Sequence, residues 1–449
     1  MQPLNNRKLK VLLIAEQCNP EWPSVPLVVY NFFKEINQIA EVTLVTHDRN
    51  QPALEKKGYE NIAYISESAA IKHYYKTVPS LAMKGRVNWP LYHLLSYPVY
   101  AEFDHSVYQA FKDQVIRGEY DVVHAISPIM PRYPYKIIKA CQKRNIPFLL
   151  GPVNGGIPFP PGFRETAKQE NASLNFLRAL GRYLIPGYVE TYKKSTRILS
   201  GSSYTLNLLQ KLFALPDDRI SLLFENGIDR DALMEVKRSY TPDRPINLLF
   251  VGRLVPYKCA DVVIEAIGKL QSSVQNRVNL TIVGDGSEKA SLEQMVQKLN
   301  LGDRVNFTGW VPQEETVNYY RKADVFCFPS IREFGGAVVI EAMACGLPSI
   351  VVDYGGIGEY VTNKAGFKIE PRSREYLVEQ MTEKIKILVE NPQLRSQMSV
   401  HAIARAKEFI WSNKALKIHE IYQSMLVSSE SVSEANESSK LTSKVFHTA

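Results

Sequence analysis

The chain has 449 residues, 45% hydrophobic and 22% charged, with a formal net charge of +8. That is enough apolar material for two or three globular domains, and no apolar run reaches the roughly 18 residues of a membrane-spanning helix. Five scattered cysteines, with no C-x-x-C pair among them, argue against a disulfide framework or a paired-cysteine zinc site and predict reduced thiols in a cytoplasmic setting.

From end to end, short apolar runs alternate with longer amphipathic segments, the pattern of parallel strands joined by crossover helices. An α/β architecture is expected twice over. The first run, KVLLIA (10–15), sits between Lys8 and Glu16 and reads as a strand rather than a signal peptide. EVTLVTH (41–47), DVVHA (121–125), PFLLG (147–151), RILSG (197–201) and ISLLFEN (220–226) complete a first set of strands. Residues 70–110 break the rhythm, being rich in Tyr, His and Pro with weak periodicity. They suit an acceptor cleft or interfacial patch, and equally an irregular packing against the first sheet.

SYTPDRPIN (239–247), polar and with two prolines, marks a linker and places a boundary near 240. Beyond it come NLLFVGR (247–253), NLTIVGDG (279–286), RVNFTG (304–309), DVFCFPS (324–330) and PSIVVDYGG (348–356), a second doubly wound sheet. A helix over 410–427 is expected to return to the first domain, and the Ser-rich stretch 428–449 reads as a disordered tail.

The charge is unevenly placed: residues 1–200 carry 25 Lys and Arg against 16 Asp and Glu, and the remainder 29 against 30. A basic first half suits an anionic partner such as a membrane surface, and scattered lysines on a solvated face would look the same. No aromatic RNA-binding motif, paired Cys/His finger or dense basic run points to nucleic acid.

The richest chemistry lies in REFGGAVVIEAMACGLPSIVVDYGG (332–356). Gly346 and Pro348 stop a short helix predicted from Ala337 to Cys345, and Gly335 and Gly336 stand at its N-terminus. Helix amides and a close backbone approach make that end an anion site suited to a phosphate. Glu341 lies about 6 to 8 Å along the helix and Glu333 precedes the turn, so each carboxylate can accept from a diol on either side of a pyrophosphate. Arg253 and Lys258, in VGRLVPYK after a strand, supply cations at the sheet's carboxyl edge, although either one alone would more often be a solvated strand-end charge. VGDGSE (283–288) adds Gly284 and Gly286, with Lys289 where a dinucleotide fingerprint would place its third glycine.

The ordered set GR…K (252–258), VGDG (283–286), FTGWVP (307–312), ADVFCFPS (323–330), E-x7-E (333–341) and GG…E (355–359) resembles the donor-binding domain of family-4 retaining glycosyltransferases, glycosyl transferases group 1, of the GT-B fold. The resemblance spans 246 to about 425 and implies two Rossmann-like doubly wound domains facing across a cleft. Residues 1–240 with helix 410–427 would bind the acceptor, and 241–409 the nucleotide-sugar donor. It implies that Glu333 binds donor-sugar hydroxyls, Glu341 the ribose, Arg253 and Lys258 the diphosphate, and the amides of Gly335, Gly336, Ala337 and Val338 the sugar and distal phosphate. Two departures stand out: the family usually has phenylalanine between two glycines where this chain has Phe334-Gly335-Gly336, and Cys259 replaces the usual glycine after the lysine.

In the first half, the D-x-x-H strand and the G-P-x-x-G-G loop resemble members of the same family and nominate His124, Arg132, Asn154, Gly155 and Gly156 for the reaction centre. A histidine ending a strand is also commonly a structural hydrogen-bonding residue. The first loop, EQCNPEWPSVP, lacks the glycine pair of many relatives, and Ile126 stands where they carry a second histidine. ENGID (225–229) matches the family's N-G-[VI]-D turn. The expected activity is transfer of a hexose from a nucleotide diphosphate sugar to a glycan or lipid-linked acceptor with retention of configuration, in surface polysaccharide or glycolipid synthesis. Neither metal nor cofactor is expected, and the setting is cytoplasmic or peripheral at the membrane face. The alternatives are an epimerase or hydrolase acting on nucleotide sugars, or a non-catalytic nucleotide-sugar-binding partner.

Overall fold

The structure, a computed structural model, describes residues 7–82, 89–170, 184–234 and 244–445. Two parallel sheets organise it. The first contains β1 (Lys10–Ala15), β2 (Glu41–His47), β3 (Ile62–Ile65), β4 (Val122–Ser127), β5 (Phe148–Val153), β6 (Arg197–Ser200) and β7 (Ile220–Leu222), in the order β3-β2-β1-β4-β5-β6-β7. The second contains β8 (Ile246–Val251), β9 (Val278–Val283), β10 (Val305–Gly309), β11 (Val325–Phe328), β12 (Ser349–Val352) and β13 (Gly366–Ile369), in the order β10-β9-β8-β11-β12-β13. Strand order reverses between β1 and β4 and again between β8 and β11. Each reversal opens a crevice at the carboxyl ends of those strands, the ligand-binding place of doubly wound sheets.

The strands are buried on both faces, so they read as continuous apolar runs. Their period of two still sorts the side chains. Leu12 and Ile14 enter one core layer of the first domain, while Val11, Leu13 and Ala15 enter the layer on the opposite face. The second domain has a single large core running from Ile246 to Ala406 and on through Ile410.

The helix Trp411–Val445 leaves the second domain and lies on the first. Trp411, Ala415, Ile418, Tyr422 and Met425 recur at the three- and four-residue spacing of one helix face and are buried with Val29, Phe32 and Phe33 of the helix Val25–Ile39. The Phe32 and Trp411 rings meet edge to face at 5.1 Å. The two connections between domains also touch, because Ile228 N donates to Phe409 O at 3.0 Å and Trp411 N to Ile228 O at 3.0 Å.

Several expectations are corrected here. Strands β3 and β13 were not expected: β3 is only partly buried along its length, and β13 contains a glycine and a lysine, so neither stands out as an apolar run. Strands β4 and β5 each run two residues further than their apolar runs suggested, whereas β7 stops at Leu222. The stretch 70–110 is not irregular: it holds the helices Ala69–Ala82, Trp89–Leu95 and Tyr97–Arg117, with 83–88 outside the described residues. The return helix continues through the Ser-rich segment to Val445 instead of ending in an irregular tail there, since the sequence from Trp411 onward contains neither Gly nor Pro to stop it. Of the expected linker 239–247, residues 239–243 lie outside the described residues. Among the described residues no helix is long and apolar enough to cross a membrane.

Candidate active site

The switch point of the second sheet brings together residues far apart in sequence. Arg253 and Lys258 follow β8, Ser330 and Glu333 follow β11, and these strands are neighbours. Lys258 Nζ forms an ion pair with Glu333 Oε1, which also accepts from Ser330 Oγ at 2.8 Å. Both charged side chains are largely shielded, at 13% and 11% exposure, so the attraction is screened less than at a surface. Lys258 also lies 4.8 Å from the Phe328 ring centroid. Arg253 is exposed and donates to Tyr257 Oη at 2.8 Å. Directly after Lys258, Cys259 adopts φ 56°, in the left-handed region that favours glycine.

The helix Ala337–Ala344 begins after Gly336, which has φ 87°. By helix geometry its first amides lack an acceptor four residues back, and Val339 N donates instead to Gly336 O at 3.0 Å. Glu341, one turn in, accepts from Tyr320 Oη at 2.9 Å and from Gln313 Nε2 at 3.5 Å. Burial raises its pKa and these two hydrogen bonds oppose the rise. The Gly355-Gly356 turn packs directly on the Glu333–Phe334 backbone, with Gly356 N donating to Glu333 O at 3.1 Å. Gly284 and Gly286 serve a similar close approach: a Cβ on Gly284 would stand 2.0 Å from Gly252 O, and one on Gly286 2.3 Å from Leu254 O. They let the loop after β9 lie on the loop that presents Arg253.

On the first domain, Asn154 is buried and fully engaged. Its Nδ2 donates to Glu225 at 2.8 and 2.9 Å and to Phe334 O at 2.8 Å, while its Oδ1 accepts from Ser202 Oγ at 2.8 Å and Thr205 Oγ1 at 2.9 Å. Gly155 N donates to Thr205 Oγ1 at 3.1 Å, and Gly156 packs on Leu208. Arg132 is half-buried in the loop after β4 beside Tyr133, Tyr188 and Tyr192, and burial lowers its pKa. At the carboxyl edge of β1 and β2, buried Glu16 meets Arg49 at 3.4 Å, and Arg49 also reaches Glu67 at 2.9 Å and lies 4.8 Å from the Tyr75 ring centroid.

The domains meet around the loop that carries Glu333. Besides the Asn154 bond, Arg332 Nε donates to Ile157 O at 3.1 Å and Tyr354 Oη to Pro158 O at 3.2 Å. Glu359 receives Ser203 N at 3.0 Å and Ser203 Oγ at 2.6 Å, so a carboxylate of one domain caps a helix of the other.

Of the residues nominated from sequence, Glu333, Lys258, Gly335 and Gly336 converge with Asn154, and Glu341 flanks them along the helix. His124 does not join them. Because β4 continues to Ser127, His124 lies in mid-strand, on the face it shares with Val122 and Ile126, beneath the return helix. It is fully buried, with Nδ1 at 2.7 Å from Tyr422 Oη and Nε2 at 2.6 Å from Gly151 O. Burial lowers its pKa to about 4. It is a structural tie between β4, β5 and the return helix. Ser330, Tyr320 and Glu225 were not singled out from sequence, and Glu359 entered only as the end of the GG…E motif, with no role assigned. Ser330 closes the quoted FCFPS run and Glu225 opens ENGID, so adjacency to a motif was the available signal.

Residues 234–405 match the family model described as Glycosyl transferases group 1. D-inositol 3-phosphate glycosyltransferase of Frankia alni is 28% identical over 290 residues, 60% of this chain and 69% of that relative. Among solved structures, Anabaena HepE in complex with UDP superposes with a TM-score of 0.60 at 16% identity, covering 93% of this chain and 100% of that one. Sucrose-phosphate synthase from Thermosynechococcus elongatus gives 0.61 at 18% identity, covering 94% and 100%. With its two doubly wound sheets, and with residues 234–405 matched to the model of glycosyl transferases group 1, the chain resembles that family and is a glycosyltransferase of the GT-B fold.

Proposed function

We propose that this enzyme transfers a hexose from a nucleotide diphosphate sugar, with retention of anomeric configuration and without a metal, to a glycan or lipid-linked acceptor in surface polysaccharide or glycolipid synthesis. The observation that carries this reading is the arrangement of Glu333 with Lys258 on one side of the Gly335-Gly336 turn and Glu341 with Tyr320 on the other. The pyrophosphate is held at the turn by the first helix amides, with Lys258 and Arg253 as counter-charges. Glu333 then accepts from hexose hydroxyls and Glu341 from the ribose.

Lys258 has two roles in sequence. Without donor it neutralises Glu333, and with donor it shares its charge with the departing diphosphate, whose charge grows in the transition state. The leaving phosphate itself takes the acceptor proton on the same face, so no protein nucleophile is required. The acceptor enters from the first sheet's carboxyl edge, past Arg132, Gly155 and Gly156. The basic first half brings the enzyme to an anionic membrane surface where a lipid-linked acceptor is presented.

A thermal-shift screen of UDP, GDP and ADP sugars tests the donor reading, since a ligand that binds only the folded state raises its melting temperature. Incubation of the stabilising donor with candidate lipid-linked acceptors, followed by NMR of the product anomer, tests transfer and retention. Nucleotide release unchanged by any acceptor would support hydrolysis instead.

A further inference from the structure

We propose that Asn154 and Glu225 are positioning residues for the donor, bracing the donor loop from the opposite domain by holding the Phe334 carbonyl and filling the space beside Gly335. The inference rests on the donor reading above and assigns it two residues outside the donor domain.

Asn154 has no freedom to turn. An amide carries two N–H bonds and an oxygen with two lone pairs. Here Nδ2 serves the Glu225 carboxylate and Phe334 O, while Oδ1 is filled by Ser202 and Thr205. Flipping the amide would set its oxygen against a carboxylate and a carbonyl. The carboxylate of Glu225 is itself wedged between the two domains. A Cβ on Gly201 would stand 2.3 Å from Glu225 Oε2, and one on Gly335 would stand 2.5 Å from Glu225 Oε1 and 2.0 Å from Asn226 Nδ2. Lys414 of the return helix, also buried, donates to Phe224 O just beneath. Burial pushes the Glu225 carboxyl up to about 7, and the Asn154 hydrogen bonds and the charge of Lys414 oppose the rise.

Only a residue without a side chain fits at 335, because Glu225 and Asn226 occupy the space beside it. The Phe334 ring turns toward Arg332, 5.4 Å from its guanidinium carbon. The brace acts one residue before the amides of Gly335 to Val338, so a displaced Phe334 carbonyl displaces the phosphate-binding row.

The test uses the full-length enzyme and isothermal titration with whichever of UDP, GDP and ADP binds the wild type most tightly. Asn154→Asp keeps the oxygen that Ser202 and Thr205 bond but turns an acceptor toward Glu225 and Phe334 O. It is expected to weaken nucleotide binding at least about tenfold. Adding Glu225→Gln, whose amide can donate to Asp at 154, is expected to recover at least about threefold, incompletely because Phe334 O still lacks its donor. Melting temperatures of all variants separate loop positioning from unfolding. Asn154→Asp binding as tightly as wild type overturns the proposal, as does a loss of the same size with and without Glu225→Gln. A wild type that binds none of the three nucleotides overturns the donor reading itself and the brace with it.

Discussion

Gly335→Ala places a methyl group where the structure has no room for one. The new Cβ would lie 2.0 Å from Asn226 Nδ2, 2.5 Å from Glu225 Oε1 and 3.2 Å from Asn226 Cγ, against ordinary contacts of 3.4–4 Å. Neither neighbour can swing out cheaply. Glu225 is held by Asn154, Asn226 Nδ2 donates to Tyr360 Oη at 3.3 Å, and both residues are buried. More than an ångström must therefore be found by moving the donor loop away from the first domain. Overpacking of this kind costs about 1–3 kcal/mol. If the displaced loop must return before the diphosphate can seat, nucleotide affinity falls by roughly 5- to 150-fold. Isothermal titration of the variant with the nucleotide that best stabilises the wild type measures this directly. Gly302→Ala is the matched control, since its Cβ would meet only Gln297 Nε2, at 3.9 Å. A Gly335→Ala enzyme that binds within twofold of wild type would refute the reasoning, because the loop would then tolerate the shift without consequence.

Three further outcomes are expected. Lys258→Met keeps the packing on Phe328 but leaves Glu333 without its cation, and donor binding should fall by at least about tenfold, in line with the roughly 2–5 kcal/mol seen when one partner of a shielded pair is removed; titration with the nucleotide sugar checks it. Tyr320→Phe removes the 2.9 Å bond to Glu341 and should weaken a nucleoside diphosphate about 3- to 15-fold while leaving inorganic pyrophosphate unaffected, so competition between the two ligands isolates the ribose contact. His124→Asn tests a pH effect. The folded pKa of about 4 lies below the unfolded value, so the stability this residue contributes is present above about 6.5 and is lost as the pH falls toward 4. Denaturant titrations at pH 7 and pH 4 should show the wild type's advantage over the variant shrinking by about 3 kcal/mol between them.

The donor half was legible because its chemistry is local in sequence. Glu333, the glycine turn and Glu341 sit on one turn-and-helix unit, and helix stop signals at Gly346 and Pro348 set its length without reference to the rest of the chain. Arg253 and Lys258 could be placed by one topological rule, that ligands gather at the carboxyl edge where strand order reverses. His124 was misplaced because that rule depends on where a strand ends, and two additional residues of β4 moved it from the edge to the interior. Glu225 was out of reach for another reason. Its significance depends on Asn154, which is distant in sequence, and on a loop of the other domain, and no periodicity within one element encodes such a meeting. The same holds for Glu359, which caps a helix across the interface, and for the helices of 70–110, whose many aromatic residues obscure the apolar stripe.

The hydrogen-bonded contact between the two interdomain connections gathers both crossings of the chain into one place. Ile228 and its bonds to Phe409 O and Trp411 N tie the outgoing and returning chain side by side, and Gly227 is packed so tightly there that a Cβ would lie 2.7 Å from the Trp411 ring. Fastened at one point, the two links act as a single pivot, so what sets the angle between the domains is the set of bonds away from it: Asn154 to the Phe334 carbonyl, Arg332 to the Ile157 carbonyl and Ser203 to Glu359. A cut in either connection alone would leave the halves joined by the other link and by the return helix seated on Phe32.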